Sequence, residues 1–156
     1  MKRAVVTRID DSVKGYVEVT LPVIKEYADK CGADLVTLSH DPPVWTEDNK
    51  PHYRCLKIYD MFDEYDRILH LDADMLINKT CPNIFDVVPE EKIGSVYEDV
   101  GSRQGDRRYK IYQLQTMWGD VGWRSGYTNF GTFVMSREHR NIFQPHNGQY
   151  YLGWGS

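Results

Sequence analysis

Several features are scarce in this 156-residue chain, and each scarcity closes a class of function. There is no excess of positive charge: 19 Lys and Arg stand against 23 Asp and Glu, a net charge of -4. That balance argues against a general nucleic-acid binder, which would show a basic face, although a few local Arg and Lys suffice for a small anion. Cysteine is limited to Cys31, Cys55 and Cys81, widely spaced and without a C-x-x-C pair. That pattern is neither a disulfide frame nor a zinc site, and it reads as reduced thiols in a cytosolic setting. No apolar run approaches the ~20 residues of a membrane span. The start, "MKRAVVTRIDD", returns to charge too soon for a signal peptide. Internal repeats and low-complexity linkers are also lacking. The expectation is one soluble, cytoplasmic domain over 1–156, long enough to bury a real core.

What the chain does have is alternation. "RAVVTRI" is a β-branched run and predicts a first buried strand. "DDS" offers capping residues, and from Val13 apolar residues recur at helical spacing through Val17, Leu21, Ile24 and Ala28. Pro22 should kink or split that helix, and Gly32 stands where a helix end favours it. "ADLVTL" predicts a second strand, "SHDPPVWTEDNKP" a loop, and 52–65 a second helix with Leu56, Tyr59, Phe62 and Met61 inward. "RILHLDAD" predicts a third strand, "CPNIFDVVP" a short helical turn and "KIGSVYED" a fourth strand. "VGSRQGDRR" reads as a mobile loop, 107–118 as a helix, "YTNFGTFVMS" as a last strand and "SREHRNIF" as a capped helical start. Strands alternating with helices imply an α/β fold with a mainly parallel central sheet, whose ligands bind at the strands' carboxyl ends. That rule puts "TRID", "DAD" and "YED" on one rim.

The chemistry concentrates in "YDRILHLDADMLI", where an apolar strand runs into two aspartates. A carboxylate at the edge of a core must be paired or coordinated. In extended backbone Asp72 and Asp74 point the same way and can converge on one ion. Two hard carboxylates without His or Cys nearby suit Mg²⁺ or Mn²⁺ better than zinc. The blander alternative is that Asp74 caps a turn and Asp72 pairs with an Arg or Lys. His70, inside the strand, reads as a satisfied core histidine. Trp118, Trp123 and Tyr127 are either core or a platform for sugars. Arg103, Arg107 and Arg108 read as solvated loop charges.

Beyond spacing, "YDRILHLDADMLINKTCPNIFDVV" resembles the central segment of GT-A-fold glycosyltransferases, the glycogenin-like family 8 group in particular. Asp72-Ala73-Asp74 matches the D-x-D motif, "NIFDVV" the turn after it, and Lys57 an upstream lysine that contacts the nucleotide sugar. "YTNFGTFVMS" is similar to the family's "F-N-x-G-x-x-V" strand, aligning Asn129 and Gly131. The resemblance covers about residues 4–135. It implies a metal-dependent transferase moving a sugar from a nucleotide diphosphate sugar, usually a UDP-sugar, to a hydroxyl of a glycan or protein-linked sugar. Mn²⁺ or Mg²⁺ would sit on Asp72 and Asp74. Thr7, Arg8 and Ile9 would form the base pocket, with Lys57, Ala73 and Gly131 also toward the donor. Lys57, Arg8 or Arg54 would add positive charge, Asn129 would hydrogen-bond a sugar, and Asp99 or Glu98 would grip sugar hydroxyls.

The resemblance also implies an acidic residue followed by Gln after the "N-x-G" strand and a late "H-x-x-G-x-x-K". The chain reaches "YLGWGS" without the first, and "HNGQ" at His146 does not fit the second. A C-terminally incomplete domain, as one part of a longer polypeptide, is the expectation. A non-catalytic UDP- or sugar-binding module is the alternative. A haloacid-dehalogenase-type phosphatase fits poorly, because its D-x-D lies on the first strand. A sugar-nucleotide pyrophosphorylase would need a Gly-rich signature that "TRIDDSVKGY" lacks.

Overall fold

Four consecutive apolar or β-branched residues, Ala4 to Thr7, are fully buried, and they fix the centre of the sheet. The computed structural model describes residues 1–39 and 51–144. Strand β1 (Arg3–Arg8) leads through a turn capped by Asp10 into helix α1 (Lys14–Lys30), and β2 (Asp34–Leu38) follows. A 3-10 segment (Pro51–Lys57) runs into the short α2 (Ile58–Met61), then β3 (Arg67–Leu71) and α3 (Ile84–Val87). Strand β4 (Gly94–Tyr97), helix α4 (Gln104–Trp118) and β5 (Thr128–Ser136) complete the sheet, and a 3-10 segment (Arg137–Phe143) closes the described chain.

The sheet runs β2-β1-β3-β5-β4. Strand β1 pairs in parallel with both β2 and β3, in register Val6 with Val36 and His70. Strand β5 is antiparallel to β3 and to β4. The sheet is thus mixed, where a mainly parallel one was expected. The reason lies in the connection. Tyr97 faces Thr128 across the β4–β5 ladder, and the Glu98 amide donates to the Tyr127 carbonyl at 2.7 Å. Residues 98–127 therefore leave and re-enter at the same end of the sheet, as an enlarged hairpin rather than a crossover.

Strand alternation splits the core into two layers. Ala4, Val6, Ile68, Phe133 and Met135 meet Ile58, Phe62 and Phe143 on one face. Val5, Leu69, Leu71 and Val134 meet Ile24, Tyr27 and Ala28 of α1 and Phe85 of α3 on the other. Buried Arg67 donates to the Phe85 carbonyl at 2.5 Å and the Val88 carbonyl at 2.8 Å, which ties the end of α3 beneath the sheet.

Four local expectations are corrected or narrowed. Of the kink or split expected at Pro22, the split does not occur, since α1 is continuous. Pro22 and Glu18 both lie on the exposed side of α1, where the backbone bond that proline cannot make is least costly to lose. The helix expected over 52–65 is 3-10 in its first part and ends at Met61. The expected mobile loop is a 3-10 turn (Gly101–Arg103) followed by α4, whose charged residues suit an exposed helix. His70 is a core histidine, buried and stacked on Phe133 at 4.9 Å, but its ring nitrogens find only the Gly131 backbone, outside full hydrogen-bond geometry, among the described residues. Burial pushes its pKa down to about 4, so it is a neutral ring. The proline-rich loop expected over 39–51 lies largely outside the described residues, as does His146. No helix among the described residues is long and apolar enough to cross a membrane.

Candidate functional site at the sheet rim

With β1, β3 and β4 pointing one way, their carboxyl ends share a rim, and β5 enters the sheet there. That brings together "RID", "DAD", "YED" and "NFG", as the alternation rule anticipated.

Strand β3 stops at Leu71, and the aspartates lie beyond it. The Met75 amide donates to the Asp72 carbonyl at 3.2 Å, so 72–75 is a turn. Strand alternation therefore does not orient the two carboxylates. The turn is pinned from two sides instead. The Asp72 amide donates to the Gly131 carbonyl of β5 at 2.7 Å, and the buried Thr20 hydroxyl of α1 donates to the Ala73 carbonyl. Asp72 is partly buried and Asp74 exposed. Burial raises the Asp72 pKa, the Arg8 guanidinium 3.3 Å from Oδ1 opposes the rise, and the Asp74 charge adds to it.

Gly131 lies in close approach to Asp72. A Cβ there would overlap Oδ2 of Asp72 and lie 2.7 Å from its Cγ. The approach comes from an irregularity in β5. Ser95 faces Phe133 while the next residue, Val96, faces Asn129, so 130–132 bulge from the ladder. The Ser95 hydroxyl lies 2.9 Å from the Asn129 carbonyl and 3.2 Å from that of Thr132, closing the bulge.

Asn129 spends both ends of its amide inside the protein. Its Nδ2 donates to Glu98 Oε1 at 2.6 Å, and its Oδ1 accepts from the Gly131 amide at 2.7 Å. Glu98 also faces Arg107 Nε at 2.7 Å and Arg103 at 3.5 Å. The Asn129 bond is the largest influence holding the Glu98 carboxyl below its usual range, and Arg107 and Arg103 add to it against the opposing effect of burial. Asp99 is buried and accepts from the Gly126 and Tyr127 amides at 2.9 and 3.1 Å, with Arg108 at 3.5 Å. Those amide bonds, the Gly126 one foremost, lower its pKa. The three arginines read as solvated charges are all ion-paired to this acidic pair.

On the β1 side Thr7 is wholly buried, facing the α1 layer with Val5, so Arg8 and Ile9 are what reach the rim. The Ile9 amide donates to Leu38 at 3.1 Å, and its carbonyl accepts from Arg54 at 3.0 Å. Arg54 also stands 3.9 Å from Asp10. Lys57 ends the 3-10 segment, half-buried, and makes no ion pair with another described residue.

No cluster of three or more His, Cys, Asp or Glu is assembled among the described residues. The pair Asp72 and Asp74 nevertheless suits a hard divalent cation. It offers only carboxylate oxygens, in a turn held by backbone bonds, and the missing Gly131 side chain leaves room for one of them. Sequence reasoning missed Thr20 and Ser95, which brace the turn and the bulge. Neither gave a signal, since each acts through a pairing distant in sequence.

In fold the chain is similar to the crystal structure of a glycosyltransferase involved in the glycosylation of the major capsid of PBCV-1. The TM-score is 0.55 at 14% identity, over 92% of this chain and 64% of that one. The chain thus spans less than two thirds of that protein's length. No family profile matches the sequence, and no curated protein does. The fold is a mixed α/β one, like that of a glycosyltransferase.

Proposed function

We propose that this chain is a metal-dependent glycosyltransferase, transferring a sugar from a UDP-sugar to a hydroxyl of a carbohydrate or protein-linked sugar. One observation carries the reading: Asp72 and Asp74 sit in a braced turn at the rim, with Gly131 pared away to make room for the Asp72 carboxylate. The similarity to a glycosyltransferase fold supports it. Asp72 and Asp74 would hold Mn²⁺ or Mg²⁺, which when bound offsets the negative charge that grows on the departing diphosphate.

The chain's own residues do the remainder. Arg8 keeps Asp72 in place and, with Lys57, adds fixed positive charge beside the diphosphate. Arg8 and Ile9 border the base, and Thr7 packs beneath them as core. Ala73 holds the turn through its carbonyl. Asn129 and Asp99 act as positioning residues in this scheme: Asn129 sets Gly131 against Asp72, and Asp99 fixes the 126–127 turn.

The test is UDP release from UDP-glucose and UDP-galactose with simple glycosides as acceptors, with Mn²⁺ and after chelation. Release is expected to need the metal and to fall by at least about 10²-fold in Asp72→Asn. Release that ignores both chelation and the substitution contradicts the proposal.

A further inference from the structure

A second concave site lies outside the aspartate turn. A cavity of about 410 Å³ opens between the middle of α4 and residues 120–124, lined by Tyr112, Gln115, Thr116, Asp120, Trp123 and Arg124 among others. Its size lies within the roughly 300–1,000 Å³ range of small-molecule sites. Its wall is a preformed loop. The Gln115 side-chain carbonyl accepts from the Val121 and Trp123 amides at 3.1 and 3.0 Å, while its Nε2 donates to the Trp123 carbonyl at 2.5 Å. Asp120 accepts from the Gly122 amide at 2.8 Å and holds Arg124 through two 2.8 Å contacts. Positive φ at Gly119 and Gly122 lets the chain turn this tightly.

The aromatic wall connects to the rim. Trp123 stacks on Tyr127 with centroids 6.0 Å apart and planes 14° from parallel. Arg107 lies over the Tyr127 ring at 5.3 Å and ion-pairs with Glu98, which holds Asn129. A ligand resting on Trp123 is therefore linked through one packed series of side chains to the Asp72 turn.

We propose that this cavity binds a neutral pyranoside, the acceptor sugar of the reaction above; the acceptor role rests on that reading, the binding does not. A pyranose carries apolar C–H faces and a rim of hydroxyls, and the cavity offers a matching pair of chemistries. Trp123 and Tyr112 line the cavity, each with one ring face stacked on a neighbour, Trp123 on Tyr127 and Tyr112 on Tyr109, and the negative quadrupole of such rings favours C–H groups. Asp120, Arg124, Gln115 and Thr116 supply donors and acceptors at the margins. Charge argues for a neutral ligand over a phosphate. Both lining arginines already face carboxylates, Arg124 on Asp120 and Arg108 on Asp99.

The test is titration of the protein, free of nucleotide and metal, with methyl glycosides of glucose, galactose, mannose and N-acetylglucosamine. The readout is the Trp123 indole N–H resonance, assigned by its loss in Trp123→Phe, with saturation transfer to the glycoside. At least one glycoside is expected to shift that resonance with millimolar affinity, and its affinity by saturation transfer, which does not need the indole, to weaken about tenfold in Trp123→Ala. Tyr112→Ala, at an exposed position, should weaken binding without disturbing the fold. The proposal is overturned if no glycoside moves the resonance, if neither alanine variant weakens binding, or if inorganic phosphate or UDP occupies the cavity in preference. UDP with Mn²⁺ is titrated separately in the wild type and in Asp72→Asn. Glycoside binding without UDP binding removes the donor reading alone, and the reverse removes the pocket alone.

Discussion

The two halves of the sheet are built on different principles. In β1 and β3 nearly every residue is buried, and both faces are covered by apolar side chains of α1, α2 and α3. In β4 no residue is buried, and the 15-residue α4 buries only Ile111. Polar groups hold that second half: Glu98 and Asp99 with three arginines, Gln115 with its loop, and Ser95 across the bulge. Apolar burial is strong and indifferent to direction, whereas hydrogen bonds and ion pairs are individually modest but geometrically exact. The first half therefore carries stability. The second carries shape, at the rim where ligands of such sheets bind.

Four substitutions would break or sharpen that contrast, from the largest effect down. Phe62→Ala, in the packed half, should cost about 3–5 kcal/mol in urea unfolding. Gly131→Ala should cost about 1–3 kcal/mol, because its Cβ displaces Asp72 or reshapes the bulge, and should weaken metal-dependent UDP binding at least about tenfold. Glu98→Gln should have a pH-dependent cost. The Glu98 pKa is lowered on folding, so its contribution is present above the usual 4.5 and lost as pH falls through the lowered value. Wild type and Glu98→Gln should thus differ most near neutrality and converge in acid, as thermal melts across pH would show. Val96→Ala, on the exposed edge, should change stability by no more than about 0.5 kcal/mol. A loss there as large as that of Phe62→Ala would erase the distinction.

The same division decides how much the sequence could reveal. "RAVVTR" and "RILHL" are legible as strands because burial on both faces leaves continuous apolar runs. The aspartates were placed at the right end of the right strand for that reason. The direction of β5 was hidden, since "TNFGTFVMS" reads the same whichever way it pairs. The bulge that seats Gly131 arises from Ser95, 36 positions away, and no local pattern announces it. Arg107 reads as a solvated charge in sequence because nothing there announces the turn at Gly101–Arg103 that starts α4 against its partner Glu98. Local periodicity exposes the core, while the rim is written in long-range pairings.

The most direct test of the account is calorimetric titration of UDP, with GDP and ADP as controls, in the presence and absence of Mn²⁺, for the wild type, Asp72→Asn and Asp74→Asn. The account predicts micromolar UDP binding that requires Mn²⁺ and disappears in both variants. Absence of nucleotide binding, or binding indifferent to the metal and to both aspartates, would contradict it and leave the turn at the end of β3 as a solvated one.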